Sequence, residues 1–154
     1  MCDRLITFLA TGFGVGNSPI APGTFGSLMG VGYWWLLMRA APWAYWPVTV
    51  LIVVLAVWCS GLAAESLRKP DPPSVVIDEI CALPIALAGI GQVWWHVALG
   101  FVWFRVFDVW KPVPVRQAQA FSGGIGIVLD DLIAAGYACA TTHAVVSLIA
   151  RVTR

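Results

Sequence analysis

Ala88-Gly89-Ile90-Gly91-Gln92 interrupts an apolar block that opens at Val75-Val76-Ile77-Asp78-Glu79 and continues to Phe104. The reading of this stretch decides the fold. As one straight helix, at about 1.5 Å per residue, the block would put Glu79 and Arg105 on opposite faces of a bilayer. Two glycines and a glutamine suit a break better than a helix interior. The block is therefore expected to fold back near Gly89–Gln92 as a short, re-entrant-like helical hairpin that returns Arg105 to the side of Asp78-Glu79. Trp94, Trp95 and His96 then lie near its turn, with His96 a polar helix-end residue.

Downstream, Phe104-Arg105-Val106-Phe107-Asp108-Val109-Trp110-Lys111-Pro112-Val113-Pro114 carries two cations and a carboxylate in an otherwise apolar setting. Ionisable groups are costly there, and their default reading is functional. Pro112 and Pro114 stop any helix after Lys111. Arg116 with Gln117 and Gln119 marks a short interfacial helix. Ser122-Gly123-Gly124-Ile125-Gly126 reads as a flexible turn, and Ile127-Val128-Leu129-Asp130-Asp131 as the lead into a last apolar helix, Leu132 to Ala150. Thr141, Thr142 and His143 inside that helix are expected to be hydrogen-bonded within the bundle.

Upstream, Leu5 to Phe13 is an apolar segment too short to span. The run from Gly12 to Ser27 holds enough glycine and proline to exclude a regular helix over most of its length, with Thr24 or Ser27 as a cap for the next one. Ser27 to Met38 is apolar, and Arg39 to Trp46 reads as a turn with interfacial aromatics. Trp43 to Ala64 is the strongest spanning segment, roughly the 20 apolar residues a bilayer requires. Glu65, Arg68, Lys69 and Asp71, with Pro70, Pro72 and Pro73, mark an aqueous loop.

The composition agrees. The chain has 154 residues, 60% hydrophobic and 11% charged, against about 45–50% and about 25% in ordinary soluble domains. That points to an integral membrane protein, a single domain over residues 1–154, all-α, built as a small multi-helical bundle with Gly/Pro-rich turns at its active site. A net charge of +1 gives no field for nucleic acid. Cys2, Cys59, Cys81 and Cys139 show no metal-like spacing and read as small apolar residues. No cleavable signal peptide is evident. The Lys/Arg-rich segments near Arg4, Arg68-Lys69 and Arg105–Arg116 fall on one side, which the positive-inside bias places in the cytoplasm.

With that topology, Asn17, Thr24, Ser27, Asp78, Glu79, Arg105, Asp108, Lys111, Asp130 and Asp131 share one membrane face. Five pooled carboxylates repel one another unless a cation neutralises them. A hard ion such as Mg²⁺, which takes carboxylate oxygens and shares its shell with phosphate, suits the set. Asp78, Glu79, Asp108, Asp130 and Asp131 are the candidate metal-binding and catalytic residues. Arg105 and Lys111 suit phosphate oxygens, as a planar fork and as a point charge. Asn17, Thr24 and Ser27 are the candidate substrate contacts from the first Gly-rich turn. Glu79, Asp108 and one of Asp130 and Asp131 would hold the ion, while Asp78 or Asp130 would activate water. Direct attack by an aspartate fits the residues equally. The bland alternative, acids paired with bases to fix helix packing, applies best to Asp108 with Arg105 or Lys111. A small transporter or channel, and a scaffold without chemistry, are the other classes open to such a chain.

Gly12-Phe13-Gly14, Ala21-Pro22-Gly23-Thr24 with Gly26-Ser27, Asp78-Glu79, Phe104-Arg105 with Phe107-Asp108 and Lys111-Pro112, and Gly123-Gly124 with Gly126 and Asp130-Asp131 together resemble the phosphatidylglycerophosphatase A family, in the family's order and over most of the chain. The resemblance implies a bacterial inner-membrane, Mg²⁺-dependent phosphatase acting on phosphatidylglycerophosphate to give phosphatidylglycerol, with its active site on the cytoplasmic side. Ala82 stands where the family typically has glycine, and Ser122 where it often has histidine.

Overall fold

The computed structural model describes residues 2–40 and 42–153. Among these the chain is wholly helical: α1 (Cys2–Ala10), α2 (Pro22–Ala40), α3 (Tyr45–Leu67), α4 (Ile77–Ala86), α5 (Trp94–Trp110), α6 (Val115–Ala118) and α7 (Gly124–Val152). Two short 3-10 turns, Val15–Asn17 and Pro42–Ala44, lie in the connections before α2 and α3. α3 and α7 are long and apolar enough to cross a membrane. At about 1.5 Å per residue they measure about 34 and 43 Å, against a hydrocarbon core of about 30 Å. The chain is a small helical membrane protein.

α4 is the centre of the bundle and is too short to span. It packs against α2, α3, α5 and α7. Its Ala82, Leu83 and Ala86 join Trp34 and Leu37 of α2, Phe104 of α5 and Ala134, Ala135 and Ala138 of α7 in the main core cluster. Ala82, at the position where the resemblance expects glycine, is fully buried there. Pro84 lies inside α4, and the Tyr45 hydroxyl donates to its carbonyl. The helix ends at Ala86, and Gly89 takes a positive φ of 69° in the turn. The fold-back expected near Gly89–Gln92 is observed, with α5 starting at Trp94. His143 of α7 bonds the Ala88 carbonyl at 2.9 Å and so ties the hairpin turn to the bundle. Thr142 departs from the expectation: its hydroxyl is buried without a partner.

Two helix starts differ from the sequence reading. α2 begins at Pro22, and neither Thr24 nor Ser27 caps it. Proline is well suited to a first helical position, where its missing N–H removes no bond. The Ser27 hydroxyl instead donates 2.8 Å to the Gly23 carbonyl one turn back. α7 begins at Gly124, so Gly124 and Gly126 are helical and Asp130-Asp131 lie in its second turn, not in a lead-in. Space explains these glycines. A Cβ at Gly124 would collide with the Val57 carbonyl of α3, and one at Gly126 with the Phe121 carbonyl. The Gly-rich run reads as flexible in isolation and is close packing in the fold.

Candidate active site

One end of the bundle collects the beginnings of α2, α4 and α7 and the ends of α3 and α5. Asp78 and Glu79 stand in the first turn of α4. Their carboxylates gain from the helix's positive N-terminal end. Asp130 and Asp131 are supplied by α7, Arg105 and Asp108 by α5. Lys111 follows α5 in a left-handed conformation, φ 48°. That position favours glycine, but here its side chain reaches Asp130 at 2.7 Å.

These residues surround a cleft of about 280 Å³ lined by Asp71, Asp78, Glu79, Arg105, Asp108, Lys111, Asp130 and Asp131, with Ala21, Pro22 and Gly23 at the α2 side. Six carboxylates thus face two cations. A larger cavity of about 740 Å³ lies between α2 and α3, but no charged residue lines it, so it offers no phosphate chemistry.

The carboxylates sort into two kinds. Asp108 accepts from Arg105 at 2.7 Å, and Asp130 accepts from Lys111 at the same distance. These two are matched by a cation each. Asp78, Glu79 and Asp131 form the other group, with one oxygen from each lying within 4.8 Å of the others. Asp78 is 7% exposed and Asp131 4%. The Asp78 Oδ1 accepts from the Glu79 N–H at 3.1 Å. Glu79 Oε1 is 3.6 Å from Arg105, while its Oε2 is buried with no partner at all. Burial pushes the Glu79 carboxyl up to about 8, helped by the charges of Asp131 and Asp108 and opposed by Arg105. Burial, then the charge of Glu79, raises Asp78 as well. For Lys111, burial alone would lower the ammonium's pKa, but the bond and charge of Asp130 prevail and hold it above its usual value.

A buried carboxylate oxygen without a donor is costly, of order 1–3 kcal/mol and more when charged. With Asp78 and Asp131 each bringing an oxygen within 4.8 Å of Glu79, the three acids fit a divalent cation, which would neutralise their repulsion and bond the orphaned Oε2. The donor set is all oxygen, as hard ions prefer.

The expected residues do not all converge. Asp78, Glu79, Arg105, Asp108, Lys111, Asp130 and Asp131 line the cleft. Ser27 is one step behind it: its hydroxyl accepts from Arg105 at 3.3 Å. Thr24 is half-buried and outside the lining. Asn17 is exposed and borders a separate depression with Arg4, Thr7, Phe8, Thr11 and Ser66. The α2 entry turns back before Asn17 can reach the cleft. Of the five acids anticipated from sequence as metal-binding, Asp78, Glu79 and Asp131 each bring an oxygen within 4.8 Å of the others, while Asp108 accepts from Arg105 and Asp130 from Lys111. Asp71, read as a loop residue, lines the cleft. Its signal was the flanking Pro70, Pro72 and Pro73, which stiffen the path of that loop. Ser122 borders a neighbouring depression that also includes Asp71.

Comparison with known proteins identifies relatives of the chain. The family model described as Phosphatidylglycerophosphatase A matches residues 8–146. The Escherichia coli K12 protein named Phosphatidylglycerophosphatase A is 40% identical over 129 residues, 82% of this chain and 74% of its own length. The Haemophilus influenzae protein of the same name is 34% identical over 143 residues, 91% of this chain and 88% of its own. A Bacteroides thetaiotaomicron protein named "Putative phosphatidylinositol-3-phosphatase" is 36% identical over 141 residues, 86% of this chain and 88% of its own. No solved structure matches. With the family model matched over residues 8–146 and a relative 40% identical over 82% of its length, this chain belongs to the phosphatidylglycerophosphatase A family.

Proposed function

We propose that the cleft hydrolyses the terminal phosphate monoester of phosphatidylglycerophosphate, leaving phosphatidylglycerol in the membrane, with Mg²⁺ as cofactor. The observation that carries this reading is the convergence of Asp78, Glu79 and Asp131, with Glu79 Oε2 unpartnered, beside Arg105 and Lys111. Asp78, Glu79 and Asp131 would hold the ion. Bound there, Mg²⁺ would supply the charge that lets a phosphate approach six carboxylates, and would polarise its oxygen. Arg105 and Lys111 bind non-bridging phosphate oxygens and stabilise charge that develops in the transition state. Asp108 and Asp130 aim those two cations. Asp130, outside the trio, would take the proton of the attacking water through the oxygen that Lys111 does not hold. Ser27 steadies Arg105 from behind.

The same reading puts the protein in a bacterial inner membrane, multi-pass, with the cleft at the cytoplasmic face. Arg68, Lys69 and Arg116 lie at the cleft end of the bundle, where positive residues favour the inside. An ion path would distribute its carboxylates through the membrane depth; here they gather at one end, against the transporter reading. A scaffold would have no need of an orphaned buried oxygen.

The test is phosphate release by purified protein from phosphatidylglycerophosphate, with Mg²⁺ and with EDTA. Phosphatidylinositol 3-phosphate serves as the competing substrate, given the name of the Bacteroides relative. Release that depends on Mg²⁺ and favours phosphatidylglycerophosphate supports the proposal. Turnover that survives EDTA removes the metal, and preference for the inositol lipid reassigns the headgroup. Absence of release from both, with ion flux in liposomes, would return the protein to the transporter class.

A further inference from the structure

The second residue of α2 is a glycine, and nothing in the helix itself calls for one. Gly23 lies one position after Pro22, inside a regular 19-residue helix, and does not have a positive φ. Glycine within a helix is worth about 1 kcal/mol less than alanine. A first turn would sooner carry an acid, to complement the helix dipole.

The surroundings supply a reason. A Cβ at Gly23 would overlap Glu79 Oε1 and would come within 3.3 Å of Arg105 Nη1. The next two glycines of this face serve a different purpose. At Gly26 the nearest clash is with the Val76 Cβ, at 2.7 Å, and at Gly30 with the Leu83 Cβ, at 2.7 Å. Those positions bring α2 against Val76, just before α4, and against Leu83 within it, as small residues do between membrane helices. At Gly23 the nearest atoms belong to no packing side chain. They are the carboxylate of the cleft and the guanidinium beside it. The missing side chain leaves a seat at the positive end of α2, and Glu79 occupies it. Gly26 closes the other flank, its absent Cβ only 3.1 Å from Glu79 Oε2.

The approach to this seat is also strained. Ala21, which lines the cleft, holds a φ of 47°. A residue with a Cβ rarely adopts that conformation, and such strain clusters at functional sites. Its carbonyl accepts from Thr24 and Phe25, which fixes the first turn of α2 in place.

We infer that Gly23 is a positioning residue for the phosphatase reaction: its missing side chain seats the Glu79 carboxylate between the start of α2 and Arg105, in register with Asp78 and Asp131. Gly23 does not touch the substrate. It acts through Glu79, and the inference rests on the reading of Asp78, Glu79 and Asp131 as the ion site.

The experiment compares Gly23→Ala, Glu79→Asp and the double variant in purified protein. Mn²⁺ binding by electron paramagnetic resonance and turnover with Mg²⁺ are both measured. Gly32→Ala is the control, in the same helix with nothing within 4 Å of its Cβ; it should bind and turn over normally. Gly23→Ala should lose roughly 10–100-fold in Mn²⁺ affinity, as changes behind metal ligands do. Because aspartate is one methylene shorter, Gly23→Ala should add little to the loss in the Glu79→Asp background. That non-additivity separates a seat from a fold defect. Multiplied losses in the double variant, or natural Mn²⁺ affinity in Gly23→Ala, would overturn the inference. If the unaltered protein binds no Mn²⁺ but still turns over, the ion reading falls instead, and the same cycle run on turnover alone judges the seat.

Discussion

At the residue scale, the two classes of carboxylate predict different failures. Asp131→Asn removes a member of the Asp78, Glu79 and Asp131 trio, so Mn²⁺ binding and turnover should both collapse. Asp108→Asn leaves the trio intact and releases Arg105. Metal binding should survive while turnover drops roughly 10–100-fold, the usual effect of a group that orients another. Equal loss of metal affinity in both variants would show that Asp108 is itself a ligand. The pH dependence follows from Glu79. Its pKa of about 8 without metal means that it is largely protonated at pH 7, and an ion must displace that proton. Metal affinity should therefore rise with pH through the neutral range, as burial and mutual repulsion hold Glu79 and Asp78 above the usual carboxylate range. Calorimetry of Mg²⁺ binding at pH 7 in buffers of different ionisation enthalpy should register proton release. Equal heats in those buffers would contradict it. These acids were readable in the sequence because charge is scarce in this chain. Their division was not readable, since only the fold brings Lys111 to Asp130 while Arg105 takes its near neighbour Asp108.

At the element scale, the hairpin was legible because Gly89 and Gly91 break the period of an otherwise uniform apolar block. The starts of α2 and α7 were not. Glycine signals a turn as easily as a close approach, and the deciding fact, a neighbouring backbone, comes from elsewhere in the chain. Gly124 and Gly136 of α7 test that distinction. A Cβ at Gly124 would strike the Val57 carbonyl, whereas Gly136 has nothing within 4 Å. Gly124→Ala should destabilise by about 1–3 kcal/mol, as overpacking does. Gly136→Ala should be neutral or stabilising by up to about 1 kcal/mol. Thermal unfolding of both variants in detergent reads the difference. Matching shifts would mean that α3 and α7 do not meet as closely as described. Asn17 marks the limit of sequence reading at this scale: it is only four residues before Ala21, which lines the cleft, yet the turn between them carries it to another surface.

At the scale of the whole molecule, the site belongs to one end of the bundle and the hairpin turn points toward the other. Single cysteines placed at Lys69 and at Arg39 check the orientation in intact cells. Arg39 lies in the last turn of α2, away from the cleft, and Lys69 follows α3 at the cleft end. A membrane-impermeant maleimide should label Arg39→Cys from outside and Lys69→Cys only after permeabilisation. The reverse pattern would place the cleft outside. Membrane character came from composition, and the all-α class from apolar segments without strand signals. The shared face of distant acids came from requiring Glu79 and Arg105 to meet.

The shortness of α4 has a consequence for biogenesis. About 15 Å of helix cannot cross a bilayer alone, so the segment that carries Asp78 and Glu79 has no insertion drive of its own. It must wait for flanking spans to shelter it, and α7, which brings Asp130 and Asp131, follows it in the chain. A chain halted before α7 would therefore carry Asp78 and Glu79 without Asp131, and the cleft cannot form until α7 has joined the bundle.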